Sequence, residues 1–180
     1  MKKIVVLTGS PRKNGNSNLM ANSFIAEAEK NGCEIKRFDT AFLNVSGCRD
    51  CGGCFKTEKP CIFNDDFNAV VEEIMSADGI VVVSPVYWYT FPAQIKSVID
   101  KFFALYCGGK DFSGKKSALI SCCEDESSET FEGIKFAFEK SFELLKSDIV
   151  GEVLIPGVFE AGAIKNTDGE KQAAELFYKF

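Results

Sequence analysis

The feature that most constrains the fold is an alternation of short β-branched runs with helical patterns along the 180 residues. The pattern predicts five strands, namely KIVVLTG (3–9), CEIKRFD (33–39), GIVVVSP (79–85), KSALISC (116–122) and IVGEVLIP (149–156). The first and third runs are continuously apolar, which is typical of parallel strands covered on both faces. The second run alternates between polar and apolar residues, which favours a strand at the edge of the sheet.

Five amphipathic segments separate or follow these strands, and each has apolar residues at helical spacing. The apolar faces consist of Met20, Phe24, Ile25 and Ala28; Phe67, Val70, Val71, Ile74 and Met75; Phe91, Ile95, Val98, Ile99 and Phe102; Phe131, Ile134, Phe138, Phe142 and Leu145; and Ala173, Leu176, Phe177 and Phe180. We expect Asn16 and Ser17 to cap the first helix and Asn64 to cap the second. The third is expected to follow Thr90, with Pro92 in its first turn.

Alternating strands and helices without an internal repeat predict an α/β protein in which helices cover both faces of a parallel sheet. With five strands, the expected order is 2-1-3-4-5, in a doubly wound sandwich. A ligand is expected beyond the ends of strands 1 and 3, where the order of the strands reverses. We expect residues 1–180 to form one domain with a single long loop at about 42–64.

Composition excludes several classes of function. The net charge of −5 argues against a nucleic-acid partner, because neutralising phosphates needs a basic surface. No apolar run is long enough to span a membrane, and the apolar part of MKKIVVLTGS is too short for a signal peptide, so we expect a cytoplasmic protein. The absence of histidine removes Ser-His-Asp triads, Cys-His nucleophiles and histidine-ligated metals.

The segment TGSPRKNGNSN, residues 8–18, follows the first strand and suits a phosphate group. It matches neither the dinucleotide fingerprint nor the P-loop motif. However, it combines short polar side chains, two glycines and two basic residues at the start of a helix, where an anion is favoured. The candidate phosphate-binding residues are Ser10, Arg12, Asn16, Ser17 and Asn18. The alternative is an ordinary turn rich in turn-forming residues.

The segment SPVYWYTFPAQIKSVIDKF, residues 84–102, follows the third strand and brings aromatic residues to the same edge of the sheet. A flat heteroaromatic ring would find an apolar wall and main-chain amides there. The candidate residues are Pro85, Val86, Tyr87 and Trp88. Aromatic residues in the core or at a subunit interface would give the same pattern. Together with the neighbouring phosphate loop, the turn favours a mononucleotide, and flavin suits this fold best.

Cys48, Cys51, Cys54 and Cys61 have the spacing C-x2-C-x2-C-x6-C within the long loop. Four thiolates can bind a [4Fe–4S] cluster, and C-x2-C-x2-C presents three ligands from one tight loop. Three alternatives stay open: structural zinc, which usually uses two separated knuckles; a thioredoxin-like pair at Cys51 and Cys54; and a loop without a cluster. We expect the other four cysteines to be ordinary thiols, with a contact to the ligand conceivable at Cys122 and Cys123.

The segments GSPRKNGNSN and SPVYWYTFPAQIKSVIDKF resemble the two motifs of the flavodoxin-like NAD(P)H-dependent FMN reductases. The cysteine segment followed by FNDDF resembles the iron–sulfur flavoprotein branch of that family. This resemblance covers essentially the whole chain. It implies a flavodoxin-like fold and FMN bound by the two segments and by the loop after strand 4, where Ser121 and Cys122 lie. It also implies homodimers or homotetramers in which a neighbouring subunit helps to cover the flavin.

The expected reaction is electron transfer through FMN from NAD(P)H, or from a ferredoxin-like donor, to a quinone, a flavin or another small acceptor. No catalytic side chain is predicted, because the cofactor performs the chemistry. The alternative is an electron carrier that docks redox proteins and has no NAD(P)H activity. The acidic net charge mildly favours this carrier, because such docking is often electrostatic.

Overall fold

A computed structural model describes residues 1–180 and has a five-stranded parallel sheet in the order β2-β1-β3-β4-β5. The strands are β1 (Lys3–Thr8), β2 (Glu34–Asp39), β3 (Gly79–Pro85), β4 (Lys116–Cys122) and β5 (Asp148–Ile155). The predicted order is confirmed, and each strand lies within one residue of its predicted bounds. The order reverses between β1 and β3, so the carboxyl ends of these strands flank a crevice.

Six helices cover the two faces of the sheet. They are α1 (Asn16–Lys30), α2 (Phe67–Ser76), α3 (Ala93–Asp100), α4 (Phe103–Cys107), α5 (Glu132–Leu144) and α6 (Gly169–Leu176). Helices α1 and α6 pack on one face, whereas α2 to α5 pack on the other, because alternate residues of each buried strand point to opposite faces. The apolar face predicted for α5 is confirmed, since its members are all buried.

Three predicted helix boundaries were wrong. Helix α1 begins at Asn16 itself, with Gly15 before it, and α3 begins at Ala93, so that Pro92 precedes the helix and does not lie in its first turn. Helix α2 begins at Phe67 instead of just after Asn64. The delay has a physical reason: the carboxylate of Asp66 accepts the main-chain N–H of Asn44 at 2.7 Å, and Asp65 likewise accepts that of Ser46. These carboxylates therefore hold the long loop instead of continuing the helix.

No helix of the protein has both the length and the apolar character that crossing a membrane requires. The long loop predicted at 42–64 is present, because no helix or strand interrupts residues 43–66. It lies on the same face of the sheet as α2 and α4, and Leu43, Val45, Cys54 and Phe55 of the loop pack against that core.

Candidate functional site

A cavity of about 340 Å³ opens at the carboxyl ends of the central strands. Its lining comes mainly from segments that follow four of the five strands. The lining residues are Ser10, Arg12, Gly15, Asn16, Ser17, Pro85, Val86, Tyr87, Trp88, Tyr89, Cys122, Cys123, Glu124, Asp125, Thr130, Val158, Phe159 and Ala161. The structure therefore brings the predicted phosphate loop and the predicted aromatic turn to one site.

The polar end of the cavity is the start of α1. No side chain caps this helix and its first turn has no acidic residue, so no residue of the helix itself offsets its N-terminal partial positive charge. Ser10 and Ser17 are buried beside it, and Arg12 is exposed at the rim. Uncapped helical N–H groups together with hydroxyl groups and a guanidinium can bind a phosphate.

The two asparagines of the predicted phosphate loop have other partners. The Asn16 amide donates to the carbonyls of Val158 and Glu160 at 3.2 and 2.9 Å. Its oxygen accepts the N–H groups of Gly162 and Ile164 at 2.9 and 3.2 Å. The hydrogen-bonding capacity of this side chain is therefore used within the protein. Asn18 does not line the cavity, and its amide donates to the Arg12 carbonyl at 2.8 Å.

The aromatic turn forms the apolar end of the cavity. Tyr87 and Thr90 exchange both main-chain hydrogen bonds, at 2.9 and 3.0 Å, across the two residues between them. Those residues, Trp88 and Tyr89, have φ values of 48° and 66°, as in a type I′ turn. Residues other than glycine rarely adopt this left-handed backbone conformation, and each one that does lowers the folding stability by about 1 kcal/mol. The turn places the Trp88 ring at the cavity mouth, where it is 93% exposed.

Gly133 of α5 makes room for this turn. A Cβ atom on Gly133 would collide with the carbonyl oxygen of Tyr89. Glycine lowers helix stability by about 1 kcal/mol relative to alanine, so its place near the start of α5 is explained by the close approach of the turn.

The loop after β4 completes the cavity. Cys122 is 4% exposed and lies against the start of α1, where the N–H of Ser17 bonds to its sulfur. Burial raises the pKa of the Cys122 thiol to about 12, so the thiol is neutral near pH 7. Ser121, the other residue predicted here, does not line the cavity, because its hydroxyl is buried in the sheet and donates to the Ser84 carbonyl at 2.8 Å.

Sequence reasoning missed the segment from Val158 to Ala161. It follows β5 and reaches the cavity because Asn16, more than 140 residues earlier, binds its carbonyls, and because the N–H of Val158 donates to the Cys123 carbonyl at 2.9 Å. The only sequence signal was that the resemblance to the reductase family covers essentially the whole chain.

The four cysteines of the long loop line a second, much smaller cavity of about 20 Å³, which is room for one water molecule. Lys101, Phe67 and residues of α4 form its other walls. Burial, and then the nearby thiols of Cys107, Cys48, Cys61 and Cys51, raise the pKa of the Cys54 thiol. Cys107 at the end of α4 is therefore a fifth thiol near this group. The sequence did not indicate this, because Cys107 is far from the other four along the chain.

Two polar clamps hold the cysteine loop. The side chain of Asn68 exchanges hydrogen bonds with both main-chain groups of Cys61, at 2.8 and 3.3 Å. The ammonium of Lys101, which is 3% exposed, forms a buried ion pair with Asp65. Burial alone raises the pKa of Asp65, but Lys101 and the N–H of Ser46 outweigh it and lower that pKa below the ordinary value.

The donor set of this loop fits an iron–sulfur cluster in its chemistry, because four thiols and two glycines surround one small cavity, with Asp50 as the one carboxylate residue of the lining. The geometry is not that of a finished metal site, since no three such side chains are arranged to bind one ion. The cysteines are therefore gathered, but the loop is not preorganised around a metal.

A model of the NADPH-dependent FMN reductase family matches residues 2–130, which is more than half of the chain. The chain belongs to this family. An iron-sulfur flavoprotein of Methanosarcina thermophila is 35% identical over 122 residues, which are 66% of this chain and 62% of that protein. An FMN-dependent NADH:quinone oxidoreductase of Metamycoplasma arthritidis is 33% identical over 123 residues, 66% of this chain and 59% of that protein.

This FMN reductase family member thus spans about three-fifths of the length of these two relatives. Among solved structures, an azoreductase of Bacillus anthracis superposes with a TM-score of 0.77 at 19% identity, with both chains fully covered. That similarity concerns the fold, and it agrees with the expected flavodoxin-like, doubly wound arrangement.

Proposed function

We propose that the chain is an FMN-dependent oxidoreductase that passes electrons from NAD(P)H, or from a ferredoxin-like donor, to a quinone, a flavin or another small acceptor. The observation that carries this proposal is the single cavity in which an uncapped helix start faces an aromatic turn. The two ends of that cavity match the two ends of FMN, which carries a phosphate and a flat heteroaromatic ring. Membership in the FMN reductase family supports the same assignment.

Each end of the cavity has a distinct task in this proposal. The N–H groups at the start of α1, the hydroxyls of Ser10 and Ser17, and the guanidinium of Arg12 bind the phosphate. Pro85, Val86 and Tyr87 form the wall for the ring, and Trp88 covers the mouth. FMN supplies the chemistry when bound, because it exchanges electrons in pairs or singly. The neutral Cys122 thiol packs beside the helix start and is not a nucleophile at neutral pH.

The cysteine loop carries a second part of the proposal, a [4Fe–4S] cluster bound by Cys48, Cys51, Cys54 and Cys61. Its support is the gathering of these thiols on one cavity and the similarity to a protein named an iron-sulfur flavoprotein. Iron and acid-labile sulfide are measured in protein purified without oxygen. About four of each per chain support the cluster, whereas zinc in place of iron, or no metal, contradicts it.

Residues 1–180 constitute one FMN-binding domain in this proposal, and homodimers or homotetramers form with Trp88 near the interface. The exposure of that ring, in a turn whose backbone costs energy to form, supports a role outside its own core. Sedimentation of the FMN complex measures the oligomeric state, and a monomer at micromolar concentration would contradict this part.

The decisive experiment begins with the binding of FMN to purified protein, followed by flavin fluorescence. The FMN complex is then mixed without oxygen with NADH or NADPH, and the flavin absorbance is recorded. Bleaching by either nucleotide, followed by recovery with a quinone, supports the oxidoreductase. Tight FMN binding without bleaching supports the electron carrier, for which the acidic side chains of Glu124 and Asp125 at the cavity offer a docking charge. Failure to bind FMN overturns both.

A further inference from the structure

Arg37 lies on the edge strand β2, outside the cavity, and connects three elements. Its Nε and Nη2 atoms contact the Asp39 carboxylate at 2.8 and 2.7 Å. Its Nη1 donates to the Asn22 side chain of α1 at 2.6 Å, and its Nη2 also donates to the Asn18 oxygen at 3.2 Å. All of these acceptors are oxygens that the planar guanidinium reaches at once, which a lysine could not do.

Asn18 connects Arg37 to the phosphate loop. It is 1% exposed, and its amide donates to the Arg12 carbonyl at 2.8 Å. The N–H of Gly15 donates to the same carbonyl, also at 2.8 Å. The Arg12 peptide is therefore the point where the loop is held, between Ser10 and the start of α1.

Asp39 secures the beginning of the same loop. Its carboxylate accepts the Thr8 hydroxyl at 2.7 Å, and Thr8 is the last residue of β1. The next residue, Thr40, donates its hydroxyl to the Thr8 carbonyl at 2.8 Å. Both ends of the loop between β1 and α1 are thus tied to the end of β2.

The charge of Arg37 is not the reason for this arrangement. Asp39 neutralises it at direct contact, so the pair contributes little net field at the cavity. Arg37 instead fixes the relative positions of its partners, because its planar guanidinium forms several hydrogen bonds at once.

We propose that Arg37 is a positioning residue for the phosphate end of the cavity, acting through Asn18 on the Arg12 peptide. This inference rests on the proposed binding of FMN. It assigns to a residue of the edge strand a part in selecting flavins that carry a phosphate. The isoalloxazine end, which the segment after β3 forms, is independent of it.

The test measures dissociation constants for FMN and for riboflavin, which lacks the phosphate, by flavin fluorescence. Arg37→Lys keeps the charge and loses the planar bonds, and Arg37→Gln loses both. The double variant Arg37→Gln with Asp39→Asn removes the charge of both partners. Lys36→Gln is the matched control, because it removes one positive charge from the adjacent residue of the same strand, where Lys36 faces Glu73 at 3.6 Å.

Arg37→Lys, Arg37→Gln and the double variant are expected to weaken FMN binding roughly tenfold, with riboflavin changed less than about twofold. Lys36→Gln is expected to leave both constants within about twofold of the wild type. In addition, the 31P resonance of bound FMN should move in Arg37→Lys and not in Lys36→Gln. If the Arg37 variants do not fold, Asn18→Ala removes the side chain that connects Arg37 to the Arg12 carbonyl. This variant should weaken the binding of FMN more than that of riboflavin.

Wild-type affinity for FMN in Arg37→Lys would overturn the inference while leaving the proposed function intact. Recovery of FMN binding in the double variant would also overturn it, because the cause would then be the exposed charge of Asp39. Equal loss of FMN and riboflavin would indicate general damage and contradict a role at the phosphate. A wild-type protein that binds no FMN would instead remove the proposed function itself.

Discussion

The cavity at the strand ends and the cysteine loop differ in how far the protein prepares them. The cavity is assembled from strand-end segments that the buried sheet holds in register, and hydrogen bonds from the Asn16 amide join the segments after β1 and β5. The cysteine loop is a stretch of irregular backbone held mainly by Asn68 and by the Lys101–Asp65 pair. Sheet geometry can preorganise a site before a ligand arrives, whereas an irregular loop held by few contacts is less firmly preorganised.

The largest effect is expected from Asp65→Ala, which acts on the cysteine loop alone. The change leaves the Lys101 ammonium buried without its partner, so the free energy of unfolding should fall by about 3 kcal/mol in urea titrations. FMN affinity should stay within about twofold, while iron retention should fall. The control is Lys96→Met in the exposed Lys96–Asp100 pair, which should alter stability little. A matching loss of FMN binding would show that the two regions are not independent.

Gly133→Ala acts on the cavity at the strand ends. Alanine normally stabilises a helix, but here its Cβ would push on the Tyr89 carbonyl, so stability should fall by about 1–2 kcal/mol in thermal or urea unfolding. FMN affinity should fall about fivefold because the aromatic turn moves, with iron retention unchanged. Gly47→Ala is a suitable control, since a Cβ there meets no atom within 4 Å. An increase in stability would refute the close approach of the turn.

Cys122→Ala tests the burial of the cavity floor through pH. The raised pKa of this thiol, about 12 against an ordinary 9, means that the folded state retains a proton that the unfolded state loses. The free energy of unfolding is therefore unaffected by this thiol below pH 9. It falls as the pH rises from 9 toward 12, by up to about 1.4 kcal/mol per pH unit.

The measurement is the slope of unfolding free energy against pH between 9 and 10.5. It should be shallower in Cys122→Ala than in the wild type. Equal slopes in the two proteins would mean that Cys122 is accessible to water.

The smallest effect is expected from Arg12→Gln at the exposed rim. Loss of one solvated charge should weaken FMN binding about fivefold and riboflavin binding hardly at all. The difference should shrink as salt is raised from 0.05 to about 0.5 M, because an exposed charge is screened. Dissociation constants at both salt concentrations provide the measurement, and Lys110→Gln, outside the cavity lining, is the control. A loss that is independent of salt would place Arg12 deeper in the site than the structure does.

Much of the cavity could be predicted because its main parts are local in sequence. The phosphate loop follows directly after β1 and the aromatic turn directly after β3, and the parallel arrangement brings both to one edge. The roles of single side chains were harder to predict. Asn16 and Asn18 were expected to bind phosphate, but the Asn16 amide joins this loop to the segment after β5, and the Asn18 amide bonds to the Arg12 carbonyl within the loop. An asparagine in a turn has the same sequence pattern in either case.

The sequence by itself determined the five strands and their order, and it predicted two of the segments that line the cavity. Apolar periodicity and turn residues act within a few positions of one another, so they are visible in a single chain. Only the tertiary structure decided that Val158–Ala161 completes the cavity, that Arg37 contacts Asn18, and that Cys107 lies near the other thiols. These contacts join residues that are about 20 to 140 positions apart. They depend on how helices pack across the sheet, and no local pattern records that packing.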